Sequence, residues 1–580
     1  MDFTDLDNML PTGDQTFADM RQEGNIYVDK TSYVYKLAVN NKPKILTRPR
    51  RFGKSTLLST IEELFLHGVK PYDGHDSYFK GLAIESLWHD DGDYLVLHLD
   101  FNDINSDCST IDQFEQSLMS YIDDFCIEHN IDISAALVPK PFLSKPLRFK
   151  NIFYALVKKV PNRSLVLLID EYDAPLIAHA NDQAELQECQ LLMRGLFATL
   201  KKNLYKFRCV FFTGITRFQD MNLGTNTNNF TDVSYETRFA ACCGYTRAEL
   251  KQYFAEHLRY AAAIKNDCTP EAVSAAQIEE LLDEMSEWYD GYSFDRSQQN
   301  KVFSTWSVLR FFGDEQAQLQ PYWSTEKDMG LPQVLKFALE RINVPKLLYD
   351  LRTGELVVNY EQFMESSLTN PEANPYSLLF QTGYLTFSRT FRNGDKIHLK
   401  SPNQELNIAF ANLLCQRVFK IHARYSPEYT IETIPILASL DPDKIRAHFN
   451  HLFEDYPYAH YPVKDEGIVQ GYVYTHLRAL GLRPRVEVMT TSGRADCVFD
   501  LPELKLTFVF EFKFEESSDA KKLDAKLAEA VKQIKDHKYG LTASSQPNVA
   551  RFALVFCGEH GQRNFARVTL VDLVDLSQMI

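Results

Sequence analysis

The sequence predicts an α/β protein in three parts: a parallel-sheet domain around a phosphate-binding loop, a helical middle region, and a C-terminal α/β domain. Three stretches predict it. TRPRRFGKSTLL, residues 47–58, places Gly-Lys-Ser between a short candidate strand and a helix-periodic run. LVLLID, residues 165–170, is an apolar strand ending on two carboxylates, Asp170 and Glu171. GRADCVFDLPELKLTFVFEFKF, residues 493–514, sets Asp496 one hairpin ahead of Glu511-Phe-Lys513.

The chain has 580 residues, too many for one core, and its 45% apolar and 24% charged residues are those of globular protein. A net charge of −16 argues against a surface that coats nucleic acid throughout, while leaving room for a local basic cleft. MDFTDLDNML has no apolar core, so no secretory leader is expected. The five-residue apolar run at 165–169 is far too short to span a membrane. Ten cysteines without C-x-x-C pairs read as reduced thiols of a cytoplasmic protein. The expected domains are residues 1–243, 244–440 and 441–580.

Lys44 to Thr47 is the first candidate strand. Leu57, Leu58, Ile61, Leu64 and Phe65 then recur at helical spacing. A phosphate loop needs this strand-loop-helix context: amides at the helix start face phosphate, Lys54 reaches the β/γ oxygens and Ser55 ligates Mg²⁺. The G-x-x-x-x-G-K-[ST] pattern has glycine where this chain has Arg48, and a turn helped by Pro49 is the expected substitute. Asp170 is placed to hold Mg²⁺ and Glu171 to activate water. A third strand, Cys209 to Thr213, leads into TGITR, where Thr213 or Thr216 can meet the γ-phosphate and Arg217 the transferred charge.

From Gly244 the texture turns helical. Thr246 and Glu249 form a capping box before an apolar-periodic run. Trp288, Tyr289, Tyr292, Phe294 and Trp306 form an aromatic cluster that can stack bases, but with no Lys or Arg interleaved it reads better as core. LLFQTGYLTF, further on, alternates like a strand.

In the last third, GIVQGYVYTHLRALGL predicts a helix, RVEVMT a strand and DAKLAEAVKQIKDHKY a second helix after the hairpin. On the second hairpin strand Phe508, Phe510, Phe512 and Phe514 face one way, Glu511 and Lys513 the other. Fourteen residues separate Asp496 from Glu511, the spacing of the PD-(D/E)xK pattern. Asp496 and Glu511 are hard oxygen ligands for Mg²⁺, and Lys513 can orient water or neutralise developing charge.

YVDKTSYVYKL, RPRRFGKSTLL, LLIDEYDAPL, TGITR and NNFTDVSY resemble the AAA-ATPase-like family, relatives of the AAA+ ATPases. The C-terminal stretch resembles the PD-(D/E)xK, restriction-endonuclease-like domain that commonly follows it. The resemblance implies ATP with Mg²⁺, held by Arg51, Phe52, Gly53, Lys54, Ser55, Thr56, Asp170 and Arg217. It also implies a nuclease metal, Mg²⁺ or Mn²⁺, on Asp496, Glu511 and a helical glutamate, for which Glu466 is nearest. Gln533 matches the family's helical glutamine, and Glu487 is an alternative supporting carboxylate. Arg217 and Arg238 are both candidates for an arginine finger in an oligomer. The expected partner is nucleic acid, DNA before RNA, with no membrane, and defence against foreign nucleic acid suits the architecture. The competing reading is an ATP switch that binds a partner through an inactive nuclease fold.

Overall fold

Runs of apolar residues that end at polar turns build the N-terminal sheet of this computed structural model. It describes residues 3–11, 13, 15–137, 147–217, 230–323, 333–344, 346–347, 350, 356–364, 374–392, 394–418, 427–454, 456, 458–459, 461–490, 493–539 and 546–576. The chain divides into two compact units, residues 1–340 with 357–404, and residues 341–356 with 405–580.

In the first unit, strands β1 (Lys44–Thr47), β2 (Leu95–Asp100), β3 (Leu165–Asp170), β4 (Phe207–Gly214) and β5 (Thr231–Asp232) lie in the order β2-β3-β4-β1-β5. All pairs are parallel. β3 is buried at every position, as a strand covered on both faces must be. Helix α1 (Lys54–His67) buries Leu57, Leu58, Ile61 and Leu64. Helices α2 (Ile111–Glu128), α3 (Leu147–Lys159) and α4 (Gln183–Lys202) pack Phe114, Phe153 and Leu196 against Leu167, Ile169 and Phe212. The order sets β4 between the loop-bearing β1 and the acidic end of β3, so both strands deliver their last residues to the same edge.

The middle of the chain is helical. Helix α5 (Arg247–Tyr253) starts with both capping-box bonds formed between Thr246 and Glu249. Its core joins helices α6 (Ala275–Tyr289) and α7 (Thr305–Phe312) through Leu250, Leu282, Met285 and Phe311. Tyr289, Tyr292 and Phe294 are buried, and Phe52 meets Tyr292 and Phe294 edge-on, so the aromatic cluster is mostly core. LLFQTGYLTF departs from the strand expectation. Its first part belongs to a helix, Pro375–Gln381, capped by Asn374, and the left-handed Gly383 (φ 90°) precedes a strand of two residues, Thr386–Phe387. The N-cap and the N1 proline outweighed the short alternation.

In the second unit, helices α8 (Pro442–Glu454) and α9 (Glu466–Ala479) precede a five-stranded sheet. Its strands β6 (Arg485–Thr490), β7 (Gly493–Leu501), β8 (Leu506–Glu515), β9 (Asn548–Cys557) and β10 (Asn564–Asp575) lie in sequence order. Only β8 and β9 run parallel, joined through helix α10 (Ala520–Asp536). The Phe face of β8 packs Phe508 on Phe499 and Phe510 on Phe449, while Val509 on the other face meets Ala530 and Ile534 of α10. Among the described residues, no helix is long and apolar enough to cross a membrane.

Candidate functional site

A cavity of about 550 Å³ opens at the C-terminal edge of the first sheet. Gly53, Lys54, Ser55 and Thr56 line one side, Glu171 and Asn102 another, and Ile26, Val28, Leu309 and Trp306 an apolar end. Gly53 is the N-cap of α1 in the left-handed region (φ 82°) and brings no side-chain acceptor. The first-turn amides of α1 therefore keep their capacity to bind an anion. The Lys54 ammonium donates to the Pro49 carbonyl at 3.2 Å, folded onto its own loop.

Arg48, standing where the pattern has glycine, is 1% exposed. Its guanidinium donates to the carbonyls of Thr47 (2.8 Å), Ser234 (2.7 Å) and Phe239 (2.9 Å) and lies 4.4 Å over the Phe294 ring. The loop's left-handed residues are Arg51 (φ 69°) and Gly53, so no glycine-only geometry falls at Arg48. A left-handed arginine costs roughly 1–2 kcal/mol. Contacts from the middle region hold it: the Arg51 carbonyl accepts from Thr305 Oγ1 at 2.6 Å, and its guanidinium lies 4.6 Å over Trp306. Phe52 is buried in the aromatic core.

Behind the cavity, Asp170 accepts bonds from the Glu171 amide (2.9 Å) and from the Thr213 hydroxyl of the intervening strand β4. Glu171 is left-handed (φ 45°), and burial pushes its carboxyl above the ordinary range against the opposing charges of Lys54 and Arg50. Thr216 does not face the loop. Its amide and hydroxyl both donate to buried Asp173 at 2.6 Å. Arg217 is likewise engaged elsewhere: it pairs with Asp232 at 3.0 Å, donates to the Met364 carbonyl at 3.1 Å and is not among the side chains lining the cavity. Arg238 is paired with Glu236 near the surface.

The second unit gathers Asp496, Glu511, Lys513 and Glu466. The β7–β8 ladder runs from Leu501↔Leu506 to Cys497↔Phe510 and stops. There the Asp496 carboxylate accepts the Phe512 amide at 2.8 Å. Lys513 Nζ donates to Glu511 Oε1 (2.9 Å) and to the Phe512 carbonyl (2.8 Å), and lies 3.9 Å from Glu466 Oε2. Glu466 is the first residue of α9, whose N-cap is Asp465. Burial pushes Glu466 up to about 7, with Lys513 opposing and Asp496 reinforcing the rise. Burial and the Asp496 charge also raise Glu511, while Lys513 opposes. Burial lowers Lys513, but Glu511 and Glu466 outweigh it and hold the ammonium above its ordinary value.

Glu511 Oε2 is buried with no hydrogen-bond donor among the described residues, and so is Gln533 Oε1 on α10. A buried carboxylate oxygen without a donor, crowded by a second carboxylate, is short of positive charge, and a hard oxygen of this kind fits a divalent cation. Among the described residues, no three His, Cys, Asp or Glu side chains stand close enough together to hold a metal ion between them. The Glu487 side chain and residues 228–229 of NNFTDVSY lie outside the described residues.

Sequence reasoning missed Tyr539. Burial raises its phenol first, the charges of Glu511 and Asp496 add to the rise, and the Arg494 amide bonds to it. A tyrosine six residues beyond Gln533 was the available signal. Lys30 and the adjacent Cys242 and Cys243 in the first cavity were missed too, because they come from segments apart from the loop in sequence, while Trp306, read from sequence as core, lines that cavity.

Residues 11–224 match the family model described as "Predicted AAA-ATPase", and residues 464–566 match that of the PD-(D/E)XK nuclease superfamily. The chain is also 26% identical over 539 residues, 91% of its length and 92% of the relative's, to "Uncharacterized protein in vnfD 5'region" of Azotobacter chroococcum mcd 1. The chain thus carries a domain of the AAA-ATPase-like family and, near its C-terminus, a domain of the PD-(D/E)XK nuclease superfamily.

Proposed function

We propose that the first unit binds and hydrolyses ATP and that the second cleaves nucleic-acid phosphodiesters with a divalent metal, Mg²⁺ or Mn²⁺. The observation carrying the nuclease reading is the buried, donorless Glu511 oxygen beside Asp496 and Lys513. Asp496 and Glu511, with Glu466 at the start of α9, would hold the cation, which when bound activates water and screens phosphate charge. Lys513 keeps a proton and sets positive charge where the cleaved phosphate develops negative charge. Gln533 and Tyr539 orient groups around that centre. In the first unit, the α1 amides and Lys54 would receive phosphates, Ser55 and Asp170 would hold Mg²⁺, which when bound would screen phosphate charge, and Glu171 would take a proton from attacking water.

DNA is the favoured substrate over RNA. The ten cysteines are unpaired, which supports a reducing, cytoplasmic setting.

The test incubates the purified full chain with plasmid, single-stranded DNA and RNA, with Mg²⁺ or Mn²⁺. Glu511→Ala and Lys513→Ala should each lower metal-dependent cutting by about 10²-fold or more. A wild-type protein that cuts nothing with either metal, with or without ATP, overturns the nuclease reading in favour of a partner-binding switch. Coupling is a separate claim: ATP occupancy licenses or blocks cleavage. It fails on its own if cutting ignores both ATP and Lys54→Ala.

A further inference from the structure

Cys242 and Cys243 are adjacent in sequence, and both line the nucleotide cavity. Both side chains are buried in the cavity wall, 1% and 2% exposed. The next residue, Gly244, donates its amide to the Phe52 carbonyl at 3.0 Å, inside the phosphate loop. Lys30 and Lys54 line the same cavity, and Lys30 Nζ donates to the carbonyl of Ala241, the residue before Cys242, at 2.9 Å. The charges of Lys30 and Arg48 favour an ionised Cys242, and those of Arg48 and Lys54 an ionised Cys243. Reactive thiols occupy electropositive surroundings with access to solvent, whereas thiols in apolar cores are inert. Cys126, Cys189, Cys209 and Cys497 are of the inert kind, each raised chiefly by burial. For Cys242, burial acts upward, but the neighbouring Cys243 thiol and the charges of Arg48 and Lys30 outweigh it and leave the thiol below its ordinary value. Cys242 and burial hold Cys243 well above its own, so that Cys243 keeps its proton.

We propose that Cys242 and Cys243 form a dithiol modification site in the wall of the nucleotide cavity, taking small hydroperoxides and closing to a vicinal disulfide that loosens the phosphate loop. The Cys242 thiolate attacks a peroxide oxygen, breaking the O–O bond and giving a sulfenic acid and hydroxide or alkoxide, which picks up a proton. The Cys243 sulfur then attacks the Cys242 sulfur, forming the S–S bond. The sulfenic oxygen leaves as water with the Cys243 proton. Two thiols are oxidised by two electrons, and the peroxide is reduced by two.

Adjacent Cα atoms are about 3.8 Å apart, below the usual span of a disulfide. The bridge is therefore strained and readily reduced, as suits a reversible mark rather than a permanent staple. Closing the ring turns the backbone at Cys243 and carries the Gly244 amide away from Phe52. Loss of that hydrogen bond predicts a fall in nucleotide affinity of about tenfold.

The experiment treats the reduced full chain with hydrogen peroxide and maps it with trypsin. Cleavage after Arg238 and Arg247 releases FAACCGYTR, which holds these two cysteines and no other. The expected product is this peptide lighter by two hydrogens, restored by a thiol reductant and absent from Cys242→Ser and Cys243→Ser. A non-hydrolysable ATP analogue should slow its formation several-fold, and oxidised wild type should bind the analogue more weakly than reduced wild type, with both serine variants insensitive. A peptide that stays at its reduced mass, or gains oxygen without losing the two hydrogens, overturns the site. A disulfide that forms at the same rate with bound analogue and leaves its affinity unchanged overturns the link to the loop. Reduced protein that never binds the analogue refutes the ATP reading instead, and the peptide mass still decides the dithiol.

Discussion

Arg217 shows how one side chain can satisfy a motif and serve a different end. It follows a strand where a catalytic arginine is expected, yet its guanidinium is buried against Asp232 and over the Tyr235 ring. Burial pushes Asp232 up, but the Arg217 charge and the bonds from Ser234 and Arg217 prevail and hold its carboxyl below the ordinary range. A carboxyl depressed in the fold stabilises it when ionised. The contribution is complete above the unfolded value, about 3.9, and disappears as pH falls through the lower folded value. Asp232→Asn should therefore be less stable than wild type at neutral pH, with the gap closing below about pH 4. Urea unfolding of both proteins across that range checks it, and a gap independent of pH would rule the pairing out. The sequence made Arg217 visible but not its partner, because Asp232 lies fifteen residues on. Arg48 was opaque for the same reason. A pattern names the letter at each position, and two of the three carbonyls that receive this guanidinium come 186 and 191 residues later.

Among elements, legibility followed length and burial. β3 could be read from its unbroken apolar run, and the helix after Gly-Lys-Ser from its period. β5 is two residues long and carries no pattern of its own. It exists because β1 offers an open edge. The short turn after β3 depends on a glycine at the end of β4: a Cβ on Gly214 would sit 2.6 Å from Asp173 Oδ1 and 2.7 Å from the Tyr172 ring. Gly214→Ala should cost the first unit about 1–3 kcal/mol by overpacking. Thermal melts read it, and unchanged stability would show that Tyr172 and Asp173 yield without penalty. In the C-terminal hairpin, the spacing from Asp496 to Glu511 was legible because both lie on paired strands of one ladder. Tyr539 was not, since its approach to the carboxylates depends on how the chain leaves α10.

Across the whole chain, the two compact units hold the two candidate sites in separate cores. Ligand that binds only folded protein stabilises the unit that holds it, by about 2.7 kcal/mol at a hundredfold excess over its Kd. Calorimetry should thus show two transitions, one raised by an ATP analogue with Mg²⁺ and lost from that response in Lys54→Ala, the other raised by metal alone and weakened in Glu511→Ala. A single transition that answers to both ligands would mean that the units unfold as one cooperative body.

The brace on Arg48 also sets an order of events during synthesis. The phosphate loop leaves the ribosome early, but the carbonyls of Ser234 and Phe239 that steady it do not yet exist. At about 5–20 residues per second, the 191 residues from Arg48 to Phe239 take roughly 10–40 s to make. Throughout that interval the nascent chain carries the Gly-Lys-Ser letters without the guanidinium lock that shapes them. The braced loop is a late product of translation, timed by the segment that follows the last strand of its sheet and not by its own emergence.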